Sequence, residues 1–211
     1  GGGMARAGLG SAWQALFAND IDPAKAASYV KHWGGDAFVL GDIANLETID
    51  LPARADLAWA SFPCQDLSLA GGRRGLDGAR SGMFWAFWRL IEGLEREGRA
   101  PSLIAIENVT GLLSSNQGRD FAALAHAIAA GGYAFTAFVI DAALFVPQSR
   151  PRLFVVASRN GFPAADTPAF HPPALARAVA NLSVDARAAW RNVQLPTPLA
   201  RNTDLASIIE P

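Results

Sequence analysis

Leu57-Ala58-Trp59-Ala60-Ser61-Phe62-Pro63-Cys64-Gln65-Asp66-Leu67-Ser68 is the stretch on which the chain turns. Residues 57–60 form a short apolar run closed by a turn signal, the pattern of a buried strand. Pro63 fixes its own φ and biases Phe62 towards an extended conformation, so the strand must stop there. Cys64 then falls just beyond a strand end. In open α/β sheets, ligands bind in the crevice outside the carboxyl ends of the strands. Cys64 is the only cysteine in the chain. A lone cysteine is more often a small buried hydrophobe than a nucleophile. Here, however, it follows the apolar run and sits between a proline and the polar pair Gln65-Asp66. Residues 68–82 are rich in glycine and arginine, including Arg73, Arg74 and Arg80, which suits an active-site loop better than a core.

Downstream, Phe84, Phe87, Trp88, Ile91 and Leu94 recur at helical spacing and predict an amphipathic helix over 82–97 with a core-facing stripe. Residues 102–106 read as the next strand, followed by Glu107-Asn108-Val109. Glu107 therefore repeats, one strand later, the position of Cys64. A helix is predicted over 118–130 and a strand over 133–140. The apolar stretch 121–140 is long enough to suggest a membrane span, but His126, Thr136 and Gly131-Gly132 interrupt it, and helix followed by strand is the better reading. Pro147-Gln148-Ser149-Arg150-Pro151-Arg152 leads into a strand over 153–157. Arg150 and Arg152, at alternate positions, point to the same side. A short helix is predicted over 183–190, and residues 199–211 suggest no chemistry.

Upstream, residues 1–10 are glycine-rich, as in turns where backbone approaches a ligand, but the spacing is not GxGxxG and no strand precedes them. Residues 13–17 read as a strand. Asp20 follows it, where a carboxylate at the end of a βαβ strand accepts hydrogen bonds from ribose hydroxyls. Asp22-Pro23 reads as an N-cap and first helical position, with the helix running to about residue 32. Residues 37–40 form a short strand ending at Gly41-Asp42-Ile43, with Asp42 placed to read an adenine amino group.

Composition narrows the classes. At 211 residues and 51% hydrophobic, one domain with a sizeable core is expected. One cysteine excludes an internal disulfide framework and suits a reducing compartment. Three scattered histidines and that cysteine make no metal site, so no metal is expected. A net charge of −1 argues against a strongly basic nucleic-acid-binding domain. There is no signal-peptide pattern at the N-terminus, and neither a second domain nor a repeat is evident.

Taken together, the motifs resemble the cytosine-C5 methyltransferases that use S-adenosylmethionine. The glycine turn resembles the family's first cofactor motif, Asn19-Asp20 the second and Gly41-Asp42-Ile43 the third. Phe62-Pro63-Cys64-Gln65 resembles the nucleophile motif, Glu107-Asn108-Val109 the ENV motif, and Gln148-Ser149-Arg150-Pro151-Arg152 the QxRxR motif. Any one could arise by chance; the last three in this order and spacing are specific. The resemblance covers residues 1–159 as a catalytic domain whose first strand is missing, and leaves 160–211 as the start or a remnant of a target-recognition region. It implies an α/β fold: a doubly wound, mostly parallel Rossmann-like sheet with helices on both faces and a terminal antiparallel hairpin. The missing strand implies a gap at the sheet's centre unless another segment fills it.

The resemblance also implies roles. Cys64 adds to C6 of cytosine, C5 becomes enamine-like and takes the methyl group, and loss of the C5 proton and of the thiolate restores the ring. Glu107, holding or sharing a proton, meets the charge at N3. Arg152 holds the base O2, and Arg150 braces Glu107 or a phosphate. Gly1, Gly3, Asp20, Ile21, Asp42, Ile43 and Pro63 are expected at S-adenosylmethionine, and Gln65, Ser68, Arg80, Asn108 and Gln148 at the substrate. The expected partner is DNA with a flipped-out target cytosine, acted on by a monomer in the cytoplasm or another intracellular space, in the manner of restriction-modification enzymes. An RNA methyltransferase of the same chemistry and a non-catalytic cofactor-binding remnant are the alternatives.

Overall fold

The computed structural model describes residues 2–62, 82–163, 165–166, 170–201 and 203–204. Pro63, Cys64, Gln65, Ser68 and Arg80, and also Gly1, lie outside the described residues. The first elements are a short helix α1 (Met4–Leu9), strand β1 (Ala18–Asp20), helix α2 (Pro23–Trp33) and strand β2 (Phe38–Leu40). Strand β3 (Leu57–Ser61), helix α3 (Met83–Arg96) and strand β4 (Leu103–Val109) follow. Then come α4 (Arg119–Ala130), β5 (Ala134–Asp141), β6 (Pro151–Ser158), α5 (Pro173–Ala180) and α6 (Val184–Ala189).

The strands form two sheets. β1 and β2 pair in parallel; the other four lie in the order β3-β4-β6-β5. β3 and β4 are parallel, while β6 runs antiparallel to both β4 and β5. Within that sheet β6 alone is reversed, which gives the mostly parallel arrangement with its terminal antiparallel hairpin. The described pairings leave β1 and β3 each with a partner on one side.

Alternation explains the core. Ala60, Ile104, Ile106, Leu153, Val155, Ala157, Phe135 and Ala137 share one sheet face and join one buried cluster with Phe84, Trp88, Leu124 and Ile128 from α3 and α4. Helices were expected on both faces; α3 and α4 share this one, and on the other face Trp59 is 37% exposed. Leu175, Ala178 and Leu182, in and just after α5, and Ala186 of α6 belong to the same cluster, so residues 173–189 are built into the core of the fold.

Two strand boundaries and one helix differ from expectation. Residues 13–17 are not a strand: Trp13 and Leu16 are exposed, and Trp13 N–H instead closes a turn on the Gly10 carbonyl. The strand is Ala18–Asp20 because these residues find the β2 ladder. β4 runs on through Glu107 to Val109, since Glu107 pairs with Ser61 on one side and Phe154 on the other. Helix α5 was not anticipated. Asp22 does cap α2, accepting from the backbone N–H of Ala24 and Lys25, with proline at the first position.

The free edge of β5 is covered by the chain that follows β6. Val139 N–H donates to the Phe170 carbonyl and Arg191 N–H to that of Phe135. His171 Nε2 lies 3.1 Å from the Ala137 carbonyl oxygen, and its ring lies 5.4 Å from that of Trp190. Burial holds the imidazole below the ordinary histidine range, against the pull of the Ala137 carbonyl. The folded chain therefore binds fewer protons at this site than the unfolded chain. Stability conferred by neutral His171 is complete at neutral pH and is lost as pH falls below about 6.5. Thermal melts should show Tm falling as pH drops below about 6.5, and less steeply in His171→Phe; equal slopes would contradict this.

Candidate active site

The site grows from the carboxyl ends of β3 and β4. Ser61 and Glu107 are partners across these parallel strands, so the chain leaves β3 beside Glu107. Asn108, only 3% exposed, fixes that exit. Its Nδ2 donates to the Phe62 carbonyl at 2.9 Å, and its Oδ1 accepts from the Val109 N–H at 2.8 Å. The Phe62 ring packs 5.8 Å from that of Phe84, itself stacked on Trp88 in the core. The residue immediately before Pro63-Cys64 is thus held through both its carbonyl and its ring. Asn108, expected at the substrate, spends its amide on this anchor.

Arg152 reaches the same place from β6. It pairs with Val109 in the β4–β6 ladder, and its Nε lies 3.0 Å from Glu107 Oε1. The two side chains are 20% and 24% exposed, half-sheltered but open to a ligand. The arginine that meets Glu107 is therefore Arg152. Arg150 lies outside the strand with its side chain exposed, and its backbone N–H donates to Asp141. Gln148 is likewise exposed on the loop before β6.

A second group lies at the carboxyl ends of β1 and β2. Asp20 closes β1, half-buried, with Oδ1 accepting from the Asp22 N–H at 2.9 Å. Partial burial opposes its ionisation, while the Asp22 N–H and the charge of Lys25 favour the carboxylate. Asp42 follows β2 and caps the short turn 43–45 through Oδ1, which accepts from the Ala44 N–H at 2.9 Å. Ile21 is 63% exposed beside Asp20, whereas Ile43 is partly buried against the main core.

Two residues to which the sequence assigned no role hold this group together. Asn19 Nδ2 donates to the carbonyls of Val39 and Gly41, suturing β1 to β2 between Asp20 and Asp42. Arg89 of α3 donates to the carbonyls of Ala44 and Leu46, tying the segment after β2 to the helix that also packs under Phe62.

The residues present fit the adenosyl end of S-adenosylmethionine. Two carboxylates end adjacent parallel strands, the arrangement suited to ribose hydroxyls and an adenine amino group, with an exposed isoleucine for the ring. Gly3 has φ +90°, and a Cβ there would meet Trp33 Nε1 at 2.3 Å, so only glycine lets this turn close on α2. Among the described residues no group of three or more His, Cys, Asp and Glu could hold a metal, and no helix is long and apolar enough to cross a membrane.

Comparison with known proteins gives the family and the fold. The family model for C-5 cytosine-specific DNA methylases matches residues 1–202. The type II methyltransferase M2.BsuMI of Bacillus subtilis is 38% identical over 140 residues, 66% of this chain and 35% of that protein. M.Bsp6I, a type II methyltransferase of a Bacillus species, is 30% identical over 151 residues, 70% of this chain and 46% of its own length. The chain thus spans between a third and a half of these two curated relatives. Among solved structures, a DNMT2 variant from Spodoptera frugiperda superposes with a TM-score of 0.65 at 21% identity. It covers 99% of this chain and 56% of its own, a likeness of fold.

Proposed function

We propose, from the premise that this chain belongs to the C-5 cytosine-specific DNA methylase family, that it carries the catalytic portion of an enzyme methylating C5 of cytosine in DNA. The observation that carries the reading is the Arg152–Glu107 pair beside the exit of β3 towards Cys64. A guanidinium and a carboxylate there stand beside the end of β3, two residues of chain before the Pro63-Cys64 pair in sequence. S-adenosylmethionine, the methyl donor of this family, supplies the electrophilic methyl group.

The chemistry asked of the chain's own residues follows from the base. C5 of cytosine is too weak a nucleophile to take a methyl group unaided. In this reading the Cys64 thiolate adds to C6, electron density moves onto the ring, and C5 becomes reactive. Arg152 holds Glu107 through Oε1, leaving the other oxygen to share a proton with ring N3 as charge develops there. The same guanidinium is suited to the base O2. Asn108 acts through Phe62 by fixing where Pro63-Cys64 begins. After transfer, loss of the C5 proton and departure of the thiolate restore the ring. A target in duplex DNA must leave the stack to reach Cys64.

Asp20 accepts from the ribose hydroxyls of the cofactor and Asp42 from the adenine amino group, with Ile21 and Ile43 against the ring. Replacing Asp20 by Ala should weaken cofactor binding by about 1.5–3 kcal/mol, the range for hydrogen bonds to a charged acceptor. Calorimetric titration of the full-length protein with S-adenosylhomocysteine reads this directly, and unchanged affinity would move the ribose elsewhere. The function itself is tested by tritiated methyl transfer to DNA and to RNA in parallel. Label at cytosine C5 of DNA supports the reading; label confined to RNA would overturn the substrate and keep the chemistry.

A further inference from the structure

Arg150 and Arg152 stand on either side of the start of β6, and the loop leading to them, residues 142–150, is exposed at Gln148, Ser149 and Arg150. Residues 142–147 are half-buried, and the Ala142 N–H donates to the Arg150 carbonyl across the base of the loop. The exposed end, Ser149 and Arg150, is tied by one carboxylate as well. Asp141, the last residue of β5, accepts through Oδ1 from the Ala143 N–H at 3.0 Å and from the Arg150 N–H at 2.6 Å. Its Oδ2 accepts from the Ser149 hydroxyl at 2.8 Å. Asp141 thus bonds both the first turn of the loop and its last two residues, just where Asp141 and Pro151 pair in the β5–β6 ladder. The backbone donors of Ala143 and Arg150, with the Ser149 hydroxyl, hold its carboxyl below the usual carboxylate range, so it is charged at neutral pH. From outside, Arg201 Nε donates to the Ala143 carbonyl at 2.8 Å.

We propose that Asp141 is a positioning residue for methyl transfer, its carboxylate fixing the loop conformation in which Gln148 and Arg152 meet the target base. The proposal rests on the functional reading above. Its physical content is a division of labour. Arg152 is held in the ladder at Val109, but the direction from which the chain enters that ladder is set at Ser149 and Arg150. Without the carboxylate, two backbone N–H groups and a hydroxyl turn to water, and the end of the loop at Ser149 and Arg150 keeps only the Ala142 N–H to Arg150 carbonyl bond to hold its path. The sheet beneath, with Leu153 and Val155 buried in the core, does not depend on it. An alanine at this position should therefore cost catalysis far more than stability.

The test compares wild type, Asp141→Ala and Asp141→Asn in the full-length protein, with S-adenosylmethionine and substrate DNA. Asp141→Ala should lower kcat by about 10–100-fold, the usual cost of removing a group that orients others. The KM for S-adenosylmethionine and the Tm should stay close to wild type. Asn keeps one oxygen for the backbone donors and should recover most of the loss. A wild-type kcat in Asp141→Ala, or a loss that vanishes on assay well below its Tm, would overturn the proposal. So would failure of Asn to rescue. A wild-type protein that methylates no cytosine would sink the functional reading, and this role with it; an active wild type matched by Asp141→Ala sinks this role alone.

Discussion

Cys64→Ser will abolish methyl transfer while leaving cofactor affinity unchanged. The chain has one thiol, and the proposed chemistry cannot begin without a nucleophile at C6. A serine hydroxyl ionises far less readily than a thiol, and the side chains brought to the exit of β3, Glu107 and Arg152, are already paired with each other. The expected loss is roughly 10⁴-fold or more, the scale on which enzymes feel removal of a covalent nucleophile. Asp20 and Asp42 lie at the ends of other strands and keep their hydrogen bonds, so S-adenosylhomocysteine should titrate as in wild type. Activity within tenfold of wild type in a methyl-transfer assay would remove Cys64 from the mechanism.

Arg152→Ala has the second largest expected effect, and it should fall on catalysis rather than folding. A half-exposed ion pair such as Arg152–Glu107 contributes about 0–1 kcal/mol to stability. In the proposed reaction the same pair faces charge pushed into the ring, where one well-placed donor or proton-sharing group supplies about 10²–10⁴ in rate. Single-turnover methyl transfer should therefore slow by that factor, with Tm nearly unchanged. Glu107→Gln should slow it through the proton at N3, and the double variant should be less than additive because the two groups act together. A large fall in Tm with undiminished single-turnover rate would make the pair structural.

The sequence made most of the framework legible where a local period is strong. The stripe from Phe84 to Leu94 announced α3, and the apolar runs before Cys64 and Glu107 announced β3 and β4. It misjudged β1 because Trp13 to Phe17 resemble a strand by composition; only the ladder with Phe38 to Leu40 shows that the strand is the next three residues, Ala18 to Asp20. The reach of β4 through Glu107 was hidden for the same reason, since its partners, Ser61 and Phe154, are 46 and 47 residues away. Helix α5 lay unnoticed in a Pro- and Ala-rich stretch. Pro173 at its first position and the spacing of Leu175, Ala178 and Val179 were signals that could have found it.

The candidate site was legible as residue types and not as contacts. Asp20, Asp42, Glu107 and Arg152 were singled out from motif and strand end. That Arg152 meets Glu107 depends on how β4 and β6 pair, which no local pattern encodes. The supporting bonds were invisible for the same reason: Asn108 to the Phe62 carbonyl and Arg89 to the segment after β2 join residues over 40 apart in sequence. Asp141 to Ser149 and Arg150 spans fewer than ten, yet nothing about an aspartate at a strand end announces which loop donors it will collect.

Covalent trapping tests the central claim most directly. DNA carrying 5-fluorocytosine at the target position allows addition at C6 and methyl transfer, but fluorine cannot leave C5 as a proton does, so elimination stalls. The full-length protein, given this DNA and S-adenosylmethionine, should yield a protein–DNA complex that survives denaturing electrophoresis and maps to Cys64 by peptide mass. Cys64→Ser should yield none. A wild-type protein that methylates ordinary DNA but forms no such complex, or an adduct on any residue other than Cys64, would contradict the account.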